Sequence, residues 1–121
     1  MRSYMIDEIS KPDMEKIDAH LTKHAMKSGI EKIFWVKIPE DILSPVQFQH
    51  KDCQPHVFAV ELGTDWIKLE FFVRTLKGFR CQCSSYSSSP QRDFIFNYAD
   101  QLIETLQIRT YFGTFFLDQG V

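Results

Sequence analysis

The chain has 121 residues, 44% hydrophobic and 25% charged, the make-up of one folded domain with its own core rather than of a disordered or fibrous chain. A formal charge of −2 with no Lys/Arg block argues against nucleic-acid or membrane-surface partners, and no apolar run nears the roughly 18 residues of a membrane span. Three cysteines, and acids by position 7 where a leader would be apolar, favour a reducing cytoplasm over a disulfide framework.

In chain order, residues 1–9 read as an edge strand or a docked lead-in carrying Tyr4, Met5, Ile6 and Ile9. Ser10 then stands where a helix N-cap belongs, with Asp13 three residues on and Pro12 in the first turn. Met14, Ile17, Leu21 and Ala25 recur at helical spacing, and Gly29 stands where a left-handed stop is expected, which predicts a helix over about 11–28. Residues 30–38 read as a strand ended by Pro39. Within 39–55, the spacing suggests a helical turn at 40–43 and a short strand at 46–48.

His56–Leu62 alternates, with Phe58, Val60 and Leu62 on one face. Gly63-Thr64 fits a two-residue hairpin loop in which glycine takes the positive φ. The next strand, to Thr75, puts Ile67, Leu69, Phe71 and Val73 on the same face as Val60, and the expected pairing is Val60 opposite Ile67. A three-residue turn at 76–78 would set Val73 opposite Cys81 and Phe71 opposite Cys83, placing both cysteines in the core. Ser89 as N-cap and Pro90 at the first helical position open a helix over about 90–108, whose stripe is Phe94, Ile95, Tyr98, Ala99, Leu102, Ile103 and Leu106. The last twelve residues, 110–121, form an apolar tail suited to an extra strand or an interface.

The expected fold is therefore a single α+β domain over 1–121. It is a two-layer sandwich of a mainly antiparallel sheet of four or five strands with both helices on one face, in the order α-β-β-β-β-α. That element order is similar to the double-stranded RNA-binding domain, but the second helix opens Pro90-Gln91-Arg92-Asp93, without the basic start that module uses.

Chemistry-bearing residues are few. His50, Cys53 and His56 offer two imidazoles and a thiolate at H-x2-C-x2-H spacing, and zinc is the ion that set would take. Ser88, Ser89 and Arg92 at a helix start would suit an anion, although the glycines of a phosphate loop are missing. His20 and His24, four apart, lack the H-E-x-x-H context of hydrolytic chemistry. The outward face of the sheet mixes aromatics with arginine, as Trp35, Trp66, Phe72, Arg74 and Arg80, and the tail adds Phe115 and Phe116. With no assembled catalytic set, the residues favour a non-enzymatic protein-binding or adaptor module without a cofactor. It would act as a homodimer through that face or the tail. A metal-binding protein and an anion-binding domain are the alternatives.

Overall fold

The computed structural model describes residues 2–77 and 81–109. It is an α+β sandwich: a mostly antiparallel sheet with helices packed on one of its faces. Strand β1 (Ser3–Ile6) is an edge strand antiparallel to the strand that carries Leu69, with Tyr4 opposite Leu69. Helix α1 (Lys11–His24) starts as expected, Ser10 Oγ accepting the Asp13 N–H. It ends one turn early because Ala25 is extended, and the chain pairs at once as β2 (Met26–Lys27) against β3 (Ile33–Lys37). Gly29 does take a positive φ of 91°, but it turns the β2–β3 link rather than stopping the helix.

After Pro39 come a single 3-10 turn at Glu40–Ile42 and a short helix α2 (Pro45–Gln49) where a strand was expected. The helix wins because Ser44 and Gln47 form a capping box around Pro45. Strand β4 (His56–Leu62) is the centre of the sheet, with β3 on one side and β5 (Ile67–Glu70) then β6 (Phe72–Thr75) on the other. The sheet order is β1-β5-β4-β3-β2, and β7 (Ser85–Tyr86) pairs with β6.

The faces fall as the alternation predicts, while the register differs by two residues. Leu62 is opposite Ile67, and Val60 opposite Leu69, because the loop runs through Gly63–Trp66. Gly63 is not left-handed. It is small because the Trp66 indole lies against it, where a Cβ would overlap the ring, while its N–H donates to the Trp66 carbonyl at 2.8 Å. Between Leu69 and Arg74 the strand carries two residues more than β4 does, and it bends at Phe71. An even surplus leaves Ile67, Leu69, Val73 and Thr75 on one face, and all four are buried.

Helix α3 (Ser89–Thr105) is capped by Ser88, not Ser89, with Gln91 completing the capping box. Its Ile95, Ala99, Leu102 and Ile103 join Ile17 and Leu21 of α1 over Phe34, Val36, Phe58, Val60, Leu69 and Val73 in one core cluster. Phe58 meets Phe94 and Tyr98 edge-on, with ring centroids 6.3 and 5.8 Å away. No helix among the described residues is long and apolar enough to cross a membrane. Arg80, Phe115, Phe116 and the tail over 110–121 lie outside the described residues.

Candidate metal centre

The predicted strand through Cys81 and Cys83 does not form. Phe72 pairs with Tyr86 and Val73 with Ser85, four residues beyond the expected partners, so 81–84 becomes a turn closed by Ser84 N–H to Cys81 C=O at 3.2 Å. Thr75 ends β6 because its polar groups go elsewhere. Its N–H donates to Ser84 Oγ at 3.1 Å and its hydroxyl to the Cys53 carbonyl. Cys81 is consequently not core but half-buried, whereas Cys83 is buried as expected.

That turn folds back onto the segment after α2. His50 ends α2 and begins a 3-10 turn, Lys51–Cys53, which sets the His50 and Cys53 side chains on the same side three residues apart. The ligand atoms of His50, Cys53, Cys81 and Cys83 all lie within 4.8 Å of one another. His50 Nδ1 is 2.9 Å from Cys81 Sγ and 4.0 Å from Cys53 Sγ, and the Cys53 and Cys81 sulfurs are 3.6 Å apart. Around a zinc ion with bonds of about 2.3 Å to sulfur, the edge of a tetrahedron is about 3.8 Å. The sulfur pair is already at that spacing. The His50–Cys81 contact is a direct hydrogen bond, and it would open by about half an ångström to admit an ion of that size. Three thiolates and an imidazole could thus hold a metal ion, and they are the soft donor set that suits zinc.

The electrostatics fit such a role. The Cys81 thiol is pulled down to about 6, chiefly by the Cys83 backbone N–H, with Cys83, Cys53 and His50 side chains adding. Burial, reinforced by the neighbouring thiols, pushes Cys83 up to about 12. The first thiolate forms readily and the next resists. A divalent cation held there would remove that resistance by favouring the thiolate forms of its ligands.

The support around the ligands is built from two buried glutamines. Gln47 Nε2 donates to the Cys83 carbonyl at 3.0 Å, and Gln47 Oε1 accepts from Gln91 Nε2 at 2.8 Å. Gln91 Nε2 also donates to the Ile42 carbonyl at 3.0 Å. Each glutamine is the third residue of its own capping box, so the starts of α2 and α3 are bonded to each other and to the cysteine turn. Outer partners of this kind fix the orientation of metal ligands.

Of the residues the sequence singles out for metal, His50 and Cys53 meet, and His56 stands apart from them. His56 is buried on the inner face of β4, and burial together with the nearby His50 pushes its pKa down. Cys81 and Cys83 take the places that sequence reasoning missed. Their C-x-C spacing is visible in the sequence, but on an unbroken strand it points both side chains into the core, and only the turn at 81–84 frees Cys81 for the cluster.

The anion candidates behave as caps. Ser88 Oγ accepts the Gln91 N–H, Ser88 N–H donates to Gln91 Oε1, and Arg92 reaches the Ser87 carbonyl at 3.5 Å; Ser89 is exposed. On the outer sheet face, Arg74 pairs with Glu70 at 2.7 Å and lies over the rings of Trp35 and Phe72 at 5.6 and 5.2 Å. Phe72 meets Tyr86, and Arg2 covers Tyr86. Trp66 is half-buried against Gly63. Comparison of the chain with known protein families, with curated proteins and with solved structures finds no match.

Proposed function

We propose that the protein is a non-enzymatic zinc-binding module in which His50, Cys53, Cys81 and Cys83 hold one ion. The observation that carries this reading is the convergence of four ligand atoms within 4.8 Å from two segments far apart in sequence. Four protein ligands fill a tetrahedral zinc, leaving no open position for water or substrate, so the ion's role is structural rather than catalytic. It would tie the α2 segment, whose Val46 and Phe48 are exposed rather than packed, to the β6–β7 turn. Elemental analysis of untagged full-length protein, purified without chelator, tests this. The expected result is one equivalent of zinc per chain, lost in Cys53→Ser and Cys81→Ser. Wild-type protein with metal only at trace level would count decisively against it.

A second reading, a protein-binding module acting as a homodimer, is supported by the stack of Trp35, Arg74, Phe72 and Tyr86 on the outer sheet face. Aromatic rings with arginine are favoured at interfaces. Light scattering after gel filtration tests it: a dimer supports the reading, and a strict monomer across the accessible concentration range removes self-association from it.

A further inference from the structure

Cys53 and Cys81 meet across a join that the backbone already holds closed. The Thr75 hydroxyl donates to the Cys53 carbonyl, the Thr75 N–H donates to Ser84 Oγ at 3.1 Å, and the Ser84 N–H donates to the Cys81 carbonyl at 3.2 Å. This series of bonds sets the two cysteines beside one another and includes no metal ligand atom. Their sulfurs stand 3.6 Å apart, so an S–S bond of about 2.05 Å needs a closure of about 1.5 Å. That is a movement of the size that a change of side-chain torsion supplies.

The three cysteines differ in access. Cys53 and Cys81 are half-buried, while Cys83 is 1% exposed and its carbonyl is tied to Gln47. Oxidation of thiols follows exposure and the presence of a second thiol within reach. Both conditions are met at Cys53 and Cys81, and the first fails at Cys83.

We propose that Cys53 and Cys81 are a peroxide-sensitive dithiol, and that closing the Cys53–Cys81 disulfide releases the metal ion while keeping the two segments tied. The release rests on the zinc reading above; the disulfide itself does not. The oxidant is a small hydroperoxide, with hydrogen peroxide the simplest. One thiolate of the pair attacks a peroxide oxygen: the S–O bond forms, the O–O bond breaks and hydroxide leaves, giving a sulfenic acid. The other thiolate attacks that sulfur: the S–S bond forms, the S–O bond breaks and a second hydroxide leaves. Two electrons pass from the sulfurs to the peroxide. Only His50 and Cys83 then remain of the four ligands, too few for a closed zinc site. Because the new bond joins residues 53 and 81, it takes over the ion's part in linking the α2 segment to the β6–β7 turn. A dithiol reductant reverses it by exchange.

Full-length protein, purified without chelator, is treated with hydrogen peroxide, quenched with catalase and unfolded in N-ethylmaleimide. Mass mapping without reduction then locates the bond, while a chromophoric indicator follows free zinc. One intramolecular disulfide, Cys53–Cys81, is expected, with Cys83 alkylated and one equivalent of zinc released per bond formed. Dithiothreitol should restore the thiols. In Cys53→Ser the disulfide is lost, and Cys81 should pass to the sulfinic acid, which dithiothreitol does not reverse. Should that variant fail to fold, the wild-type map decides alone. A main product joining Cys83, a disulfide between two chains, sulfinic acid in place of a disulfide, or three intact thiols would overturn the proposal. Zinc retained after the bond forms would overturn the release. Protein that holds no zinc yet gives the Cys53–Cys81 bond would sink the zinc reading, and the release with it, while supporting the dithiol.

Discussion

Replacing Gln91 with methionine keeps the volume and unbranched shape of the side chain while deleting its amide. Three hydrogen bonds go with it: two donated by Nε2, to Gln47 Oε1 and the Ile42 carbonyl, and one accepted by Oε1 from the Ser88 N–H. At about 1 kcal/mol net per bond, the loss is about 3 kcal/mol, and it grows if the Ile42 carbonyl is left dry. That is a large part of the roughly 5–15 kcal/mol that holds a domain of this size together. Urea unfolding followed by the fluorescence of Trp35 and Trp66 reads it directly. With a slope of roughly 1–3 kcal/mol/M, the midpoint should fall by about 1–3 M. Gln101→Met, at an exposed position on the same helix, should change stability by less than about 0.5 kcal/mol. If the two variants unfold at the same urea concentration, the paired glutamines do not hold the two helix starts together and the reasoning fails. The double variant with Gln47→Met should lose less than the sum of the single losses, by about 1 kcal/mol, because the pair shares one bond.

Gln47→Met alone should also weaken metal binding by about 10–100-fold, since it releases the Cys83 carbonyl; competition with a chromophoric chelator measures this. Asp13 is held below the usual carboxylate range, first by the Arg109 backbone N–H at 2.9 Å, then by Lys16 and Ser10. Its folded pKa is depressed, so its contribution to stability is present in full above the unfolded value of about 3.9 and is lost as pH falls from there through the lower folded pKa. Asp13→Asn should therefore be less stable than wild type at pH 7, and the difference should shrink as the pH falls below the unfolded value and through the lower folded one, as thermal unfolding against pH will show. Gly63→Ala should cost about 1–3 kcal/mol and shift the emission of Trp66, because a methyl group there must displace the indole; an unchanged spectrum and melting temperature would remove the close-approach explanation.

The layer plan could be read from the chain because side-chain alternation survives changes that alter pairing. A two-residue register difference at Leu62–Ile67 and a two-residue surplus between Leu69 and Arg74 both preserve the faces, so Phe58, Val60, Leu69 and Val73 are core either way. The cap at Ser10 was legible for a similar reason, since it depends on a few adjacent residues, and the start of α3 was legible to within one residue, its cap being Ser88 rather than Ser89. The site was only half legible. His50 and Cys53 share one short turn, so sequence spacing brings them together. Cys81 reaches them only because Thr75 spends its N–H and hydroxyl on Ser84 and Cys53, which stops β6 and releases 81–84 from the sheet. One of those contacts lies within 72–86, but the other joins Thr75 to Cys53, 22 residues away, and no local pattern in 72–86 contains it. The buried link between Gln47 and Gln91 is likewise long-range, although each capping box could be found by its own spacing.

Cobalt(II) titration of the metal-free protein tests most directly whether His50, Cys53, Cys81 and Cys83 form one closed tetrahedral site. A single equivalent should produce intense thiolate-to-cobalt charge-transfer bands together with the strong visible absorption of tetrahedral cobalt. Both should be displaced by one equivalent of zinc, and in Cys83→Ser both should be reduced. A weak spectrum of octahedral, oxygen-ligated cobalt, or no saturation at one equivalent, would contradict the account.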